Sequence, residues 1–163
     1  MKDLESKARK MIEDNMYMTI ATAAKNGKPW ISPVFFAYDS KLNFYWSSAK
    51  NSLHSRLINK NKRVSAAIFN SNAAEGKGDG VYMVGKATEV KEKEIKHAMD
   101  ILFYRTGKIN KYFKDKTEKD FKGNSPIRFY KFVPKKFWVL GDPVEIDGKF
   151  VDIRREVRMK KFI

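Results

Sequence analysis

Cysteine is missing from this chain of 163 residues, and histidine occurs only twice. Without thiols the protein forms neither disulfides nor thiolate ligands, which is consistent with a reducing compartment. His54 and His97 alone, with no cysteine, give no cluster at a spacing typical of metal ligands. The sequence therefore predicts no metal centre and no cysteine chemistry.

Long apolar runs are also missing, and none approaches the roughly 20 residues that a membrane helix needs. The first fifteen residues, MKDLESKARKMIEDN, are charged throughout and lack the apolar core of a signal peptide. We therefore expect a cytoplasmic protein. The length suits one domain over residues 1–163, with its core at about 16–140 and a charged C-terminal extension at 141–163.

Acidic residues are too few to balance the basic ones, and the net charge is +15. Between Arg105 and Lys136, eleven Lys or Arg residues face only Asp115, Glu118 and Asp120. Such a field attracts polyanions or anionic cofactors. Basic solvated surfaces also occur without that role, so the charge bears on association and not on the fold.

The central stretch at 44–69, FYWSSAKNSLHSRLINKNKRVSAAIF, is typical of a strand, a short helix and a second strand. Asn51 or Ser52 is a good N-cap for the helix. Hydroxyl and basic side chains crowd the start of this helix: Ser47, Ser48, Lys50, Ser52, His54 and Arg56. Because a helix N-terminus presents unpaired N–H groups and a partial positive charge, the site suits a phosphate.

The remaining segments predict further strands and helices. Helices are expected at 3–14 and 92–105, with a short helix and a loop at 108–122, and strands at 16–23, 30–38, 81–90 and 127–140. Antiparallel hairpins dominate this order. The fold class is therefore mainly β, an antiparallel β-barrel of about six strands with inserted helices.

Glycine and proline mark the expected irregularities. Asn26-Gly27 predicts a hairpin between the first two strands, because both residues accept positive φ, and Asp147-Gly148 predicts another. The second strand is apolar on both faces, so we expect it to be central or to lie in a barrel wall. Pro33 should mark a bulge or an opening of the sheet, and Pro134 should interrupt the final strand.

Four segments in this order carry a family resemblance: MTIATAAKNGKPWISPVFFAYD, FYWSSAKNSLHSRLINKNKRVSAAIF, GDGVYMVGKATEV and FYKFVPKKFWVL. Together, over roughly residues 16–140, they resemble the pyridoxamine 5′-phosphate oxidase-like, FMN-binding split-barrel family. The resemblance implies a six-stranded antiparallel split β-barrel, a homodimer with FMN at the subunit interface, and an FMN-dependent oxidoreductase with a small-molecule substrate.

The enzyme after which the family is named is not matched throughout. Its C-terminal segment, which bears arginine and histidine and holds the substrate, has no convincing counterpart, although Arg154, Arg155 and Arg158 lie in that region. The chain also shows no nucleophile with a base at readable spacing. That absence is uninformative in a flavoprotein, because the cofactor carries the redox chemistry.

By the same resemblance, the run from Ser47 to His54 corresponds to the family's phosphate signature, with lysine common where this chain has His54. The departure makes the charge of the site depend on pH, unless Lys50 or Arg56 compensates. The other cofactor contacts that the resemblance implies are the backbone of Ile31, Ser32, Pro33 and Val34 at the flavin ring, Trp46, Ser47 and Ser48 at the ribityl chain, Ser52 at the phosphate, and Trp138 close to the ring.

Simpler interpretations exist for these residues taken one at a time. Ser52 suits a plain N-cap, and tryptophans in strands, such as Trp46 and Trp138, are usually packing residues. A haem-handling or deazaflavin-using relative of the same fold is one alternative function. A basic nucleic-acid-binding barrel without flavin is another, since six aromatic residues lie among bases: Tyr104, Tyr112, Phe113, Phe121, Phe129 and Tyr130. Nucleic acid and membrane are not the partners we expect.

Overall fold

The computed structural model describes residues 4–109 and 111–160. Its elements are α1 (Leu4–Asp14), β1 (Tyr17–Ala23), β2 (Pro29–Phe35), β3 (Ala37–Tyr38), β4 (Phe44–Ala49), α2 (Leu53–Lys60), β5 (Arg63–Phe69), β6 (Gly80–Glu89), α3 (Ile95–Phe103), β7 (Ile127–Leu140), β8 (Val144–Ile146), β9 (Lys149–Val151) and β10 (Arg154–Val157). Short 3₁₀ turns lie at Glu92–Glu94, Lys111–Phe113 and Glu118–Phe121, so the short helix predicted within 108–122 consists of two such turns. Predictions for Asp3, Asn110 and residues 161–163 fall outside the described residues.

The main sheet is antiparallel and curls into a split barrel. Its strand order is β2-β1-β5-β6-β7-β4-β3, and β10 also pairs with β7. The strands at the two ends of this order, β2 and β3, are separated in the chain by Phe36 alone. The two edges of the sheet must therefore lie side by side, which confirms the predicted fold class.

The segment predicted as one strand at 30–38 forms both of these edges. Of the two positions that we expected, the central one is therefore wrong. The segment lies in the barrel wall, but at its edges and with one face open, since Trp30 and Ile31 are 45% and 64% exposed. Pro33 pairs in register with Thr19, and the ladder between β1 and β2 has no bulge. Proline is tolerated here because an edge strand leaves one row of backbone groups without a strand partner.

Strand β7 continues through Pro134, where we expected an interruption. The irregularity appears instead as a shift of register against β6, because Val84 pairs with Lys136 while Gly85 pairs with Pro134. Lys135 is thus the extra residue of a β-bulge. A Cβ at position 85 would collide with the backbone of β7, so only glycine allows this close approach.

Both predicted hairpins are present. Strands β1 and β2 pair antiparallel, and Gly27 has φ 88°, whereas Asn26 does not adopt the positive φ that we expected of it. At the second hairpin, between β8 and β9, Asp147 and Gly148 have φ 51° and 73°. The turn residues thus set these connections locally.

Two apolar clusters hold the elements together. The first fills the barrel and includes Phe36, Trp46 and Phe132, and α1 and α2 cover it with Ile12 and Ile58. The second lies beneath α3 on the other side of β4 and β7, and its members include Tyr45, Leu102, Phe103, Phe121 and Phe129. This packing fixes the position of α2, and hence of the helix start that the sequence indicates as a site.

Candidate functional site

His54, in the first turn of α2, is the centre of a cluster of serine hydroxyls. Its Nδ1 lies 3.2 Å from Ser32 Oγ on β2. Its Nε2 lies 2.9 Å from Ser48 Oγ at the end of β4 and 3.2 Å from Ser52 Oγ. Four residues predicted to contact the cofactor, from three different elements, therefore form one hydrogen-bonded group, which we call the His54 cluster.

Ser52 is the N-cap of α2. Its backbone is extended, with φ −60° and ψ 153°, and its Oγ accepts a hydrogen bond from the backbone N–H of Ser55 at 3.4 Å. The same Oγ donates to Ser55 Oγ at 2.8 Å. The N-cap interpretation is therefore correct, and it places the His54 cluster against the unpaired N–H groups of the first turn.

Burial lowers the pKa of His54 below its ordinary value. The physical cause is the loss of hydration of the imidazolium, and none of the three hydroxyls beside it carries a negative charge that would stabilise it. His54 is therefore neutral at pH 7 without a ligand, and an anion placed beside it would raise its pKa.

Trp30 and Ser55 complete the cluster, and the sequence reasoning missed both. Trp30 Nε1 donates a hydrogen bond to Ser32 Oγ at 3.0 Å. Trp30 and Ser32 are two residues apart on one strand and so share a face. Ser55 stands three residues after the N-cap, which is where a helix brings side chains together. Both spacings were visible in the sequence, but neither indicated which strand would face the helix.

Ile31 and Trp138, two further predicted contacts, line a different cavity of about 420 Å³ on the outer face of the sheet. Tyr82, Val84 and Arg154 also border it. Since side chains alternate along a strand, Ser32 lies in the His54 cluster and its neighbour Ile31 in this outer cavity. Strand β2 thus contributes to both places.

The other predicted contacts do not join the His54 cluster. Trp46 is completely buried and stacks on Tyr130 with ring centroids 5.6 Å apart, so the packing interpretation holds for its side chain. Val34 is also a core residue. Ser47 lies on the opposite face of β4 from Ser48 and lines a separate cavity of about 520 Å³ with Tyr17 and Phe35, among others.

Pro33 and Lys50 are exposed. The backbone N–H of Lys50 donates to Pro126 O at 2.8 Å, and no contact joins the Lys50 side chain to His54 among the described residues. A role for either residue at a cofactor stays a prediction.

His97, on α3, lies beside a buried carboxylate. Its Nε2 is 3.6 Å from Asp39 Oδ2, and its ring meets Tyr45 edge to face. Burial opposes ionisation of Asp39, but hydrogen bonds from Asn43, Lys41 and Tyr45 outweigh it and lower the Asp39 pKa. Desolvation and the Asp39 charge together raise the pKa of Tyr45 well above its usual range. This group holds the turn between β3 and β4.

The aromatic residues that suggested nucleic-acid binding are mostly internal. Phe113, Phe121, Phe129 and Tyr130 are at most 3% exposed and pack in the core clusters. Bases stack only on aromatic faces that they can reach. The aromatic and basic segment therefore provides packing more than a stacking surface.

Over residues 4–109 and 111–160, no group of three or more His, Asp or Glu residues is placed to hold a metal ion. None of the helices in that part of the chain is both long enough and apolar enough to cross a membrane.

Comparison with known proteins identifies the fold and the family. The family model for pyridoxamine 5′-phosphate oxidase matches residues 4–141. No curated protein matches the chain in sequence. Among solved structures, a protein of unknown function from Agrobacterium tumefaciens is similar, with a TM-score of 0.68 and 16% identity, over 85% of this chain and 57% of that one.

Two further structural relatives are described as haem proteins. A heme binding protein from Mycobacterium smegmatis has a TM-score of 0.65 and 19% identity, over 90% of this chain and 56% of its own. HutZ, the heme storage protein from Vibrio cholerae, has a TM-score of 0.62 and 14% identity, over 83% of this chain and 94% of its own. The chain spans little more than half of the Agrobacterium and Mycobacterium relatives. From the match of its residues 4–141 to the family model, the protein belongs to the pyridoxamine 5′-phosphate oxidase family.

Proposed function

We propose that this protein binds FMN and acts as an FMN-dependent oxidoreductase on a small-molecule substrate, with the flavin phosphate held by the His54 cluster. The observation that carries the proposal is the convergence of Ser32, Ser48, Ser52 and His54 at the start of α2. FMN, when bound, supplies the redox chemistry, and the protein supplies position and electrostatics.

The donor set fits a phosphate. The hydrogen-bond partners of His54 are three hydroxyls, each able to turn its proton toward an anion, and no carboxylate is among them. The unpaired N–H groups in the first turn of α2 add donors and a partial positive charge. A bound phosphate would replace the hydrogen bonds that these groups now make to one another. The binding free energy would then come from the greater strength of hydrogen bonds to a charged acceptor than to a neutral one.

Trp30 favours one tautomer of His54. Because an indole nitrogen only donates, Ser32 Oγ accepts a hydrogen bond from Trp30. Its own hydroxyl can then donate a hydrogen bond to His54 Nδ1. The imidazole proton then lies on Nε2, directed to Ser48 Oγ. In this arrangement the Ser48 hydroxyl proton is available to an incoming phosphate oxygen.

The flavin ring is proposed to lie along β2. Strand β2 pairs on one side with β1, and its other edge carries backbone N–H and C=O groups without a strand partner among the described residues. Such an edge can bind the polar rim of a planar ring through backbone groups. Ile31 and Trp138 line the outer cavity nearby and suit its apolar part.

The homodimer is proposed on the exposed apolar surface of the sheet. Ile31 and Val84, which line the outer cavity, are 64% and 38% exposed. Trp138, which also lines it, lies on β7 and is paired with Glu156 of β10. An apolar patch of this kind on a soluble protein is typical of an interface, and a second copy with two-fold symmetry would cover it.

The decisive experiment identifies what the purified protein carries. We expect a yellow protein that releases FMN on denaturation, identified by mass spectrometry, at one FMN per chain. Release of FAD, a deazaflavin or haem would contradict the proposal, as would failure to take up FMN after reconstitution with an excess.

Haem binding is the second candidate. Two structural relatives are described as haem proteins. His97 is 53% exposed at its side chain, and the Asp39 carboxylate lies 3.6 Å from its Nε2, close to where a metal-ligating histidine has the hydrogen-bonded carboxylate that orients it. If haem is the cofactor, added haemin should give a Soret band that His97→Ala weakens and His54→Ala retains.

A further inference from the structure

A basic groove lies at one end of the barrel, away from the His54 cluster. The hairpin between β1 and β2, the end of α2 and the bulge between β6 and β7 enclose about 610 Å³. Among the described residues, four cations line it, Lys25, Arg63, Lys86 and Lys135, and no Asp or Glu does. We call this the basic groove.

Two of the cations oppose each other. Arg63 and Lys86 are directly paired across β5 and β6. Like charges at directly opposite positions destabilise a sheet. Neither side chain forms an ion pair or a hydrogen bond with a described residue, and the same is true of Lys25 and Lys135. No described residue therefore neutralises either of the two opposed charges.

The bulge supplies the third cation. Lys135 has no partner in the ladder, because Pro134 and Lys136 pair with consecutive residues of β6. A bulge redirects the side chain of its extra residue, and here that residue lines the groove beside Arg63 and Lys86. Gly85 is required for the bulge, since any Cβ would collide with the carbonyl oxygen of Val133. The bulge at Lys135 and the pair of Arg63 and Lys86 thus both contribute cations to the basic groove.

We propose that the basic groove binds a small phosphate-bearing anion with two or more negative charges. An opposing anion would relieve the repulsion between Arg63 and Lys86. The C-terminus of α2, where Asn61 lines the groove, provides only about half a negative charge, and no described carboxylate in the lining adds to it.

A small anion fits better than a nucleic-acid strand. The volume of the groove lies within the roughly 300–1,000 Å³ typical of small-molecule sites. None of the described residues that line it is aromatic, whereas sites for single-stranded nucleic acid combine basic residues with aromatic rings on which bases stack.

The groove is separate from the proposed flavin phosphate site. His54 stands in the first turn of α2, and Asn61 follows its last residue. A helix of eight residues is about 12 Å long. Ala21, Ser65 and Val84 line both the groove and the outer cavity, but none of the four groove cations lines the outer cavity or bonds to His54. Removal of these cations should therefore leave FMN binding unchanged, and failure of one proposal does not imply failure of the other.

The test uses inorganic tripolyphosphate as the probe, titrated calorimetrically into the full chain at low and at physiological salt. We expect the double variant Arg63→Gln/Lys86→Gln to weaken binding at least tenfold, and Lys135→Gln to weaken it several-fold. The matched control is Lys114→Gln/Lys119→Gln, which removes the same charge from two exposed lysines outside the groove. That control should change binding by less than twofold.

The melting temperature distinguishes binding at the groove from non-specific attraction of tripolyphosphate to a positively charged protein. Without ligand, Lys86→Gln should keep or raise the melting temperature, since it removes a repulsive pair, and it should lose most of the rise that tripolyphosphate gives the parent. The proposal is overturned if the parent does not bind tripolyphosphate at physiological salt, or if the control weakens binding as much as the groove variants. Tighter binding of a single-stranded oligonucleotide through the same residues would also overturn it.

Discussion

Replacement of His54 by alanine should weaken FMN binding by about 10- to 100-fold. The neutral imidazole makes hydrogen bonds to Ser32, Ser48 and Ser52, and beside a phosphate one of its bonds becomes charge-assisted. A hydrogen bond to a charged group contributes roughly 1.5–3 kcal/mol, and about 1.4 kcal/mol is tenfold in affinity.

The pH dependence of FMN affinity is a second test of the role of His54. Burial lowers the pKa of His54 in the free protein, and a bound phosphate should raise it, so binding takes up a proton. FMN affinity of the parent should therefore rise as the pH falls from about 8 toward the ordinary histidine value of 6.5. His54→Lys, with a fixed charge, should bind at least as tightly and lose this dependence.

The assay is quenching of flavin fluorescence on titration, repeated at several pH values. His97→Ala is the matched control, since His97 lies on α3 beside Asp39 and should not change FMN affinity by more than twofold. Thermal unfolding of each variant checks that the fold is kept. If His54→Ala binds FMN as tightly as the parent from pH 6 to 8, His54 is not in the site and the phosphate assignment fails.

Three further predictions concern stability and assembly. Arg105 donates to three carbonyls at the end of α1 and lies 4.8 Å from the Tyr38 ring centroid, so Arg105→Met should cost about 2–4 kcal/mol. Calorimetry should show a melting temperature lower by roughly 5–15 °C, whereas exposed Arg158→Met should change it little. The folded-state pKa of Asp39 is depressed, so its contribution is present above the ordinary carboxyl value of 3.8 and is lost as the pH falls through the folded-state pKa. Urea unfolding should show that Asp39→Asn lowers stability at pH 6 and removes part of the parent's acid sensitivity; an equal acid dependence would contradict this. Ile31→Glu should dissociate the proposed dimer in light scattering, since an unpaired charge buried at an interface costs about 2–5 kcal/mol, and exposed Ile146→Glu, on the β8–β9 hairpin, should not.

Local patterns in the sequence were enough to predict most of the elements and the helix start, but not β10, which pairs with β7 within the expected charged extension. The apolar spacing of 3–14 and 92–105 gave α1 and α3, and alternation gave the strands, because both periods follow from the local geometry of the backbone. The N-cap was predicted as Asn51 or Ser52, and in the structure it is Ser52, whose hydroxyl satisfies an N–H group of its own helix. Both hairpins were predicted from two turn residues each.

Patterns that depend on distant partners misled the sequence reasoning. Apolar residues on both faces of 30–38 suggested a central strand, but the chain bends at Phe36 and the two halves form opposite edges of the sheet. Trp30 and Ile31 are exposed as a result. Local alternation does not show whether an apolar face meets the core or a surface, because that depends on which strands pair.

The sequence by itself determined the family, most of the elements and three members of the His54 cluster, since Ser48, Ser52 and His54 lie within seven residues and a single strand-to-helix turn fixes their separation. Only the tertiary structure decided that Ser32 completes the cluster through Trp30, that Ser47 and Trp46 do not join it, and that Arg63, Lys86 and Lys135 meet in one groove. Those outcomes depend on strand order and on a bulge between β6 and β7. Both are set by the pairing of segments far apart in the chain, which a local pattern does not encode.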